Sequence, residues 1–293
     1  MRNIYKALLT GIALSCSAAP ALAGSVSVGG VTWDPDFSQA FPPLDDFTAQ
    51  TKFAQWYVGA ATPTAGLGVG NIGVVPNPAD AIAVGAAGVG DVLVGYGIID
   101  VINGTGEVDF CTNYPCRLTY TFGGFAITGL SASLNPQPRP LFSGGWVNFY
   151  LDDTAPFVGN PNLTNPSEAA TGNLWLSANA ESFLNDLGEA TTLNFLEGGI
   201  FTGSAEAFLS VIGGAAFGNF DTDVFTAPGG AVADFLYSGN ASFTNASGQL
   251  DPTAMYSTNG NGQLRGDSIP EPGILFLFGA GLVGLGVMRK KAA

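Results

Sequence analysis

Short segments in which apolar and polar residues alternate recur from residue 24 onward, and this period of two constrains the fold more than any other feature of the chain. Leu118-Thr119-Tyr120-Thr121-Phe122 alternates, as does Trp146-Val147-Asn148-Phe149-Tyr150-Leu151. Ala205-Glu206-Ala207-Phe208-Leu209 alternates too, although its pattern also fits a helix. Asp91-Val92-Leu93-Val94, Leu174-Trp175-Leu176 and Phe235-Leu236-Tyr237-Ser238 read as further strands. Between the segments stand Gly123-Gly124, Gly144-Gly145, Asp152-Asp153, Gly198-Gly199 and Pro228-Gly229-Gly230, which is turn chemistry at hairpin intervals. The 42 glycines are about twice the usual share of roughly 7%, as many short strands joined by turns require. The expectation is an all-β body, an antiparallel β-sandwich or jelly-roll. One short helix is expected over residues 180–188, capped by Asn179.

Two stretches depart from this pattern. Residues 60–90 are rich in Gly, Ala and Val and read as a loose loop or an edge hairpin, and the three prolines of 134–140 as an extended connector. Residues 249–267 are polar and rich in Gly and Asn, the composition of a flexible linker.

The two ends carry a different kind of information. Arg2 and Lys6 precede an apolar stretch over residues 7–19, and Ala21-Leu22-Ala23 follows with the small residues of a signal-peptidase site. Residues 1–23 therefore read as a signal peptide. Cys16 raises a lipoprotein alternative, but Ala13-Leu14-Ser15 matches that processing site poorly. At the other end, Pro270-Glu271-Pro272 leads into an apolar run from Gly273 to Met288 that stops at Arg289-Lys290-Lys291. As a helix that run would extend roughly 24 Å, somewhat short of a bilayer core of about 30 Å. Its small residues, Ala280 and Gly284 among them, suit close approach by another helix. The basic cluster would stay cytoplasmic and leave the rest of the chain outside. The two prolines hold Glu271 in an extended strip of the kind a peptidase needs.

This order of tripeptide, glycine-rich apolar helix and basic stop resembles the PEP-CTERM sorting tail of exported Gram-negative proteins. The resemblance is confined to 268–293; Ile269 stands where the family often has Val, and Gly273-Ile274 replaces the commoner Ser/Thr. It implies recognition by an exosortase, a membrane-embedded peptidase. The protein would then pass transiently through the inner membrane, held by its C-terminal transmembrane helix, before reaching the cell surface or extracellular matrix. It also implies a setting in biofilm or exopolysaccharide. The domain reading is a signal peptide over 1–23, an exported β-rich domain over 24–248, a linker over 249–267 and the sorting tail over 268–293.

Charge narrows the partners. Five of the nine basic residues lie in the two terminal segments, so Lys52, Arg117, Arg139 and Arg265 face 23 carboxylates in the chain through Pro272, a net charge of −19. Such a body repels nucleic acid and anionic membranes, having no basic patch to displace counterions from phosphate. Cations and neutral glycans remain. Apolar residues at 46% against 11% charged are enough to drive collapse, which excludes a disordered chain.

Catalytic motifs are scarce. The chain contains no histidine, which removes Ser-His-Asp and Cys-His arrangements and the usual zinc and iron sites, and no cofactor or metal is expected. Carboxylate pairs for glycan cleavage would have to come from Asp45-Asp46, Asp152-Asp153, Asp221-Thr222-Asp223, Glu168 or Glu206, residue types that equally serve turns and solvated loops. Asp221 and Asp223 could share a calcium ion, but they lack the Gly and terminal Glu of an EF-hand loop. Gly68-Val69-Gly70-Asn71-Ile72-Gly73 spells a dinucleotide fingerprint without the helix it needs before Pro76 and Pro78. Asn103-Gly104-Thr105 and three similar triplets spell glycosylation acceptors. Cys111 and Cys116 flank a Pro-containing turn, and in an oxidising compartment they are expected to form a structural disulfide. Trp146 and Trp175, at strand positions, are expected in the core, while Trp33 and Trp56 are open to a sugar-stacking role. The expectation that follows is a non-enzymatic surface or matrix component, with a carbohydrate-binding sandwich and a carboxylate glycan hydrolase as alternatives.

Overall fold

The computed structural model describes residues 24–37, 45–62, 77–131, 139–154, 156, 158–161, 166–199 and 201–269, without the side chains of 195–199. The signal segment, Pro270, Glu271, Pro272, the apolar run and the basic cluster lie outside these residues. Among the described residues no helix is long and apolar enough to cross a membrane.

Eight strands form the body: β1 (Phe47–Val58), β2 (Val92–Ile102), β3 (Arg117–Ser131), β4 (Trp146–Asp152), β5 (Asn173–Ala180), β6 (Thr202–Gly213), β7 (Phe235–Ser242) and β8 (Tyr256–Gly266). Each pairs antiparallel with its neighbour in sequence, and β8 returns to pair with β1 from Tyr256↔Trp56 to Gly266↔Phe47. The sheet therefore closes into an up-and-down barrel. The expected sandwich is corrected on this point: β1 bonds β2 on one side and β8 on the other, which leaves the eight strands no open edge from which two facing sheets could be built.

The barrel is apolar within and largely polar without. Phe53, Tyr57, Leu93, Tyr120, Phe122, Phe149, Leu209, Phe235 and Leu264 belong to one buried cluster. The alternate residues on β6, β7 and β8, such as Ser204, Glu206, Ser238, Asn240, Asn261 and Gln263, lie in half-buried or exposed positions. On the β1–β2 side a second layer, in which Ala169 covers Trp56, Val94, Tyr96 and Ile98, shields the outer face. This polarity is the reverse of a membrane-spanning barrel, whose outer band is apolar and whose lumen is polar.

Glycine has a role here beyond turns. Cross-strand pairs set Gly95 against Phe122, Gly97 against Tyr120, Gly260 against Phe53 and Gly266 against Phe235. Each inward glycine leaves room for the ring beside it, so that the aromatic covers a bare backbone. Gly123-Gly124, expected as a turn, instead lies inside β3, where the Trp146 ring packs on it; a Cβ at Gly123 would come within 2.9 Å of that ring.

Two further expectations are corrected. Residues 249–267 are not a linker, since Tyr256–Gly266 is paired on both sides within the barrel. Its inward positions are Gly260, Gly262, Leu264 and Gly266, and its outward ones amides and Arg265, so a barrel strand carries the composition of a linker. Residues 180–188 do not form a helix. Phe183–Leu184 pairs with Ala190–Thr191, and the Asn185 side chain closes the hairpin by accepting from the Leu187 and Glu189 N–H groups at 3.0 and 2.8 Å.

Candidate functional site: the barrel end at the sorting tail

The last barrel strand ends at Gly266, and the next three residues are tied down at one end of the barrel. Ser268 donates its backbone N–H to Asp46 Oδ1 at 2.5 Å, while its hydroxyl accepts from Trp33 Nε1 at 3.0 Å. Asp46 in turn donates its own N–H to Asp267 Oδ1 at 3.3 Å. Ile269 donates to the Asn219 carbonyl at 2.8 Å and accepts from Asn219 Nδ2 at 3.3 Å. Ser268 is buried, and Ile269, at 42% exposed, is where the described chain meets solvent.

Aromatic packing fixes the partners that hold this junction. Trp33 lies on the short strand Val31–Trp33, and Asn219 on the single helical turn Phe217–Phe220. Trp33 stacks on Phe220 at 5.1 Å between ring centroids; Phe47 meets Phe220 at 4.7 Å and Trp175 closes the cluster. Asn103 braces the same end. It accepts from the Thr48 N–H at 2.7 Å and donates to the Asp34 and Asp46 carbonyls, so it is a buried clamp rather than a surface glycan acceptor.

Burial dominates the electrostatics. It raises Asp46 from its ordinary 3.8 to about 6, against the Ser268 N–H that favours the charged form, with Asp267 and Asp36 adding to the rise. Asp45 is raised in the same direction by burial, offset by Arg265 at 3.4 Å. The other three body cations are also ion-paired: Lys52 with Asp100 at 2.6 Å, Arg117 with Glu107 at 2.6 Å and Arg139 with Asp186 at 3.5 Å.

The nominated carboxylates are dispersed. Asp152 is buried and spent on Thr154 and Thr171, accepting at 2.8 to 3.0 Å. Asp221 and Asp223 belong to a loop braced by Asp234, a residue the sequence did not single out, which accepts from the Thr222 and Asp223 N–H groups at 2.6 and 2.7 Å. Among the described residues no group of three or more His, Cys, Asp or Glu could hold a metal. Glu206 lies on the outer face and Glu168 on the short 3-10 turn Pro166–Ala170. Cys111 and Cys116 form the expected disulfide. All four tryptophans are buried, Trp33 at 3% and Trp56 at 0% exposed included, so none is available to stack on a sugar. A shallow polar groove of ≈ 520 Å³ crosses the outer face, lined by Gln50, Lys52, Ser238, Asn240, Asn261 and Gln263 among others.

Ser268 and Ile269, the first two residues of the tail, are thus held at the barrel end, after the last strand of the sheet is complete. No curated protein and no solved structure matches the chain. A family model, the PEP-CTERM protein-sorting motif, matches residues 268–291. The chain carries at its C-terminal end the PEP-CTERM sorting motif, the signal of proteins that an exosortase processes at the membrane and sorts to the cell surface.

Proposed function

We propose that this protein is a non-enzymatic component of the cell surface or extracellular matrix, delivered through its tail and associating there with neutral polysaccharide. One observation carries the reading: β8 ends at Gly266, two residues before the motif begins at 268, so a peptidase can remove the tail without taking a strand from the barrel. The polar groove supports the glycan association, because its amides and hydroxyls are neutral hydrogen-bonding groups. The engagement of Asp152 and Asp234 in bracing loops supports a non-enzymatic role.

Delivery is tested by fractionating cells that produce the full chain or a chain ending at Ile269. The full chain is expected at the surface and the shortened one free in the periplasm. Identical distributions would contradict tail-directed sorting. Glycan association is tested by electrophoresis through gels containing neutral dextran or its carboxymethyl derivative. Retardation is expected in the neutral gel alone and is expected to be lost in Asn261→Asp/Gln263→Glu; unchanged mobility in neutral dextran would remove this part of the reading.

A further inference from the structure

An eight-stranded barrel is just wide enough to be filled by side chains or to hold one small ligand. In this barrel the two sides are filled unequally. Phe53, Tyr120, Phe122 and Phe149 project inward from β1, β3 and β4, whereas β6 and β7 line the same space with the small residues Ala205, Ala207, Gly239 and Ala241 beside the larger Leu209 and Tyr237. The mismatch leaves a cavity of ≈ 80 Å³, several times the roughly 10–15 Å³ that one water needs. Its walls are mostly hydrocarbon, and such cavities stay dry and accept apolar guests.

Two hydroxyls lining this cavity lack a well-formed hydrogen bond. Tyr120 is 3% and Thr51 4% exposed, and among the described residues Tyr120 Oη and Thr51 Oγ1 have only each other and the Tyr237 hydroxyl beside them, none in good hydrogen-bonding geometry. Buried hydroxyls left in this state are rare and destabilising, and an unfilled binding site is one reason to keep them. Burial holds the Tyr120 phenol well above its ordinary range and raises that of Tyr237 to about 12, so both are neutral donors at any physiological pH. Among the described residues none that lines the cavity is charged. A carboxylate would therefore enter without a counter-charge, at a large desolvation cost.

We propose that the barrel interior binds a slender, neutral lipophile: an aliphatic chain lying along the small-residue wall and ending in an oxygen function that pairs with Tyr120 and Thr51. The inference is independent of the glycan association and of tail processing, since it concerns the inner face alone.

The test uses the protein purified from the surface of producing cells and the fluorescent apolar probe N-phenyl-1-naphthylamine, displaced in turn by 1-octanol, octane and octanoate. Octanol is expected to displace the probe about fivefold more tightly than octane, as one added hydrogen bond implies, and octanoate to compete least. In Tyr120→Phe/Thr51→Val the probe should still bind within about twofold while the advantage of octanol over octane disappears, because only the hydroxyls have gone. Absence of displacement by octanol, or equal affinity for octanol and octane in the unaltered protein, would overturn the proposal. That comparison needs no variant, so it stands even where the double substitution fails to fold.

Discussion

Asp46 accepts a hydrogen bond from the backbone of Ser268, 222 residues further along the chain, and this contact joins the first residue of the sorting motif to the start of the first barrel strand. It also makes the junction sensitive to pH. Burial raises Asp46 to about 6 in the folded protein, against an ordinary value of 3.8. Between those values the folded state binds more protons than the unfolded one, so the contribution of Asp46 is fully present below about pH 4 and is lost as pH rises through about 6. Asp46→Asn keeps an acceptor for the Ser268 N–H and removes the titration. Thermal unfolding from pH 4 to 7.5 should show the variant gaining on the unaltered protein as pH rises, with the two converging near pH 4. A difference independent of pH would contradict this assignment.

Gly97 faces Tyr120 across β2 and β3, and a Cβ at that position would lie 2.4 Å from both the Tyr120 ring and the Lys52 carbonyl oxygen. A backbone atom cannot swing aside as a side chain can. Gly97→Ala is therefore expected to destabilise the barrel by about 1–3 kcal/mol, the usual cost of overpacking, read as a lower urea midpoint with an unchanged slope. Gly88→Ala, where a Cβ meets nothing within 4 Å, is the control and should be near neutral.

The Cys111–Cys116 disulfide closes a loop with a sequence separation of 5. Loop-closure entropy for so short a ring gives about 2 kcal/mol. Cys111→Ser/Cys116→Ser should unfold at a correspondingly lower temperature while keeping its barrel circular dichroism. No change in unfolding temperature would mean that the pair is not oxidised in the exported protein.

Glu271→Ala is expected to slow conversion of the precursor to the mature form in a pulse-chase measurement, without altering the unfolding temperature of the body. The reason is separation: the barrel is complete at Gly266, five residues before Glu271. Equal conversion rates would mean that the carboxylate between the two prolines is not read.

Strands with an apolar face were legible in the sequence. β3 and β4 each include a segment identified by alternation, β6 includes one whose pattern also fitted a helix, β7 includes one read as a further strand, and the burial of Trp146 and Trp175 followed from their strand positions. β8 was not, because glycines occupy three of its inward positions and rings of neighbouring strands, Phe53, Tyr237 and Phe235, fill the space that its own side chains would otherwise take. Hydrophobic alternation then lives on the partner strand. Barrel closure was hidden for a related reason, since it depends on pairing Phe47 with Gly266 across most of the body. The tail itself was readable because its tripeptide, apolar run and basic stop are contiguous. Its anchorage was not, because Trp33 and Asp46 reach Ser268 from the opposite end of the sequence.

Intact-mass spectrometry of the surface protein, taken from cells with and without the exosortase, tests most directly whether the segment after Ile269 is a removable signal. With the peptidase present, the mass should correspond to a chain that begins near Gly24 and ends between Pro270 and Gly273; without it, the mass should retain everything through Ala293. The same mass from both strains would contradict the account.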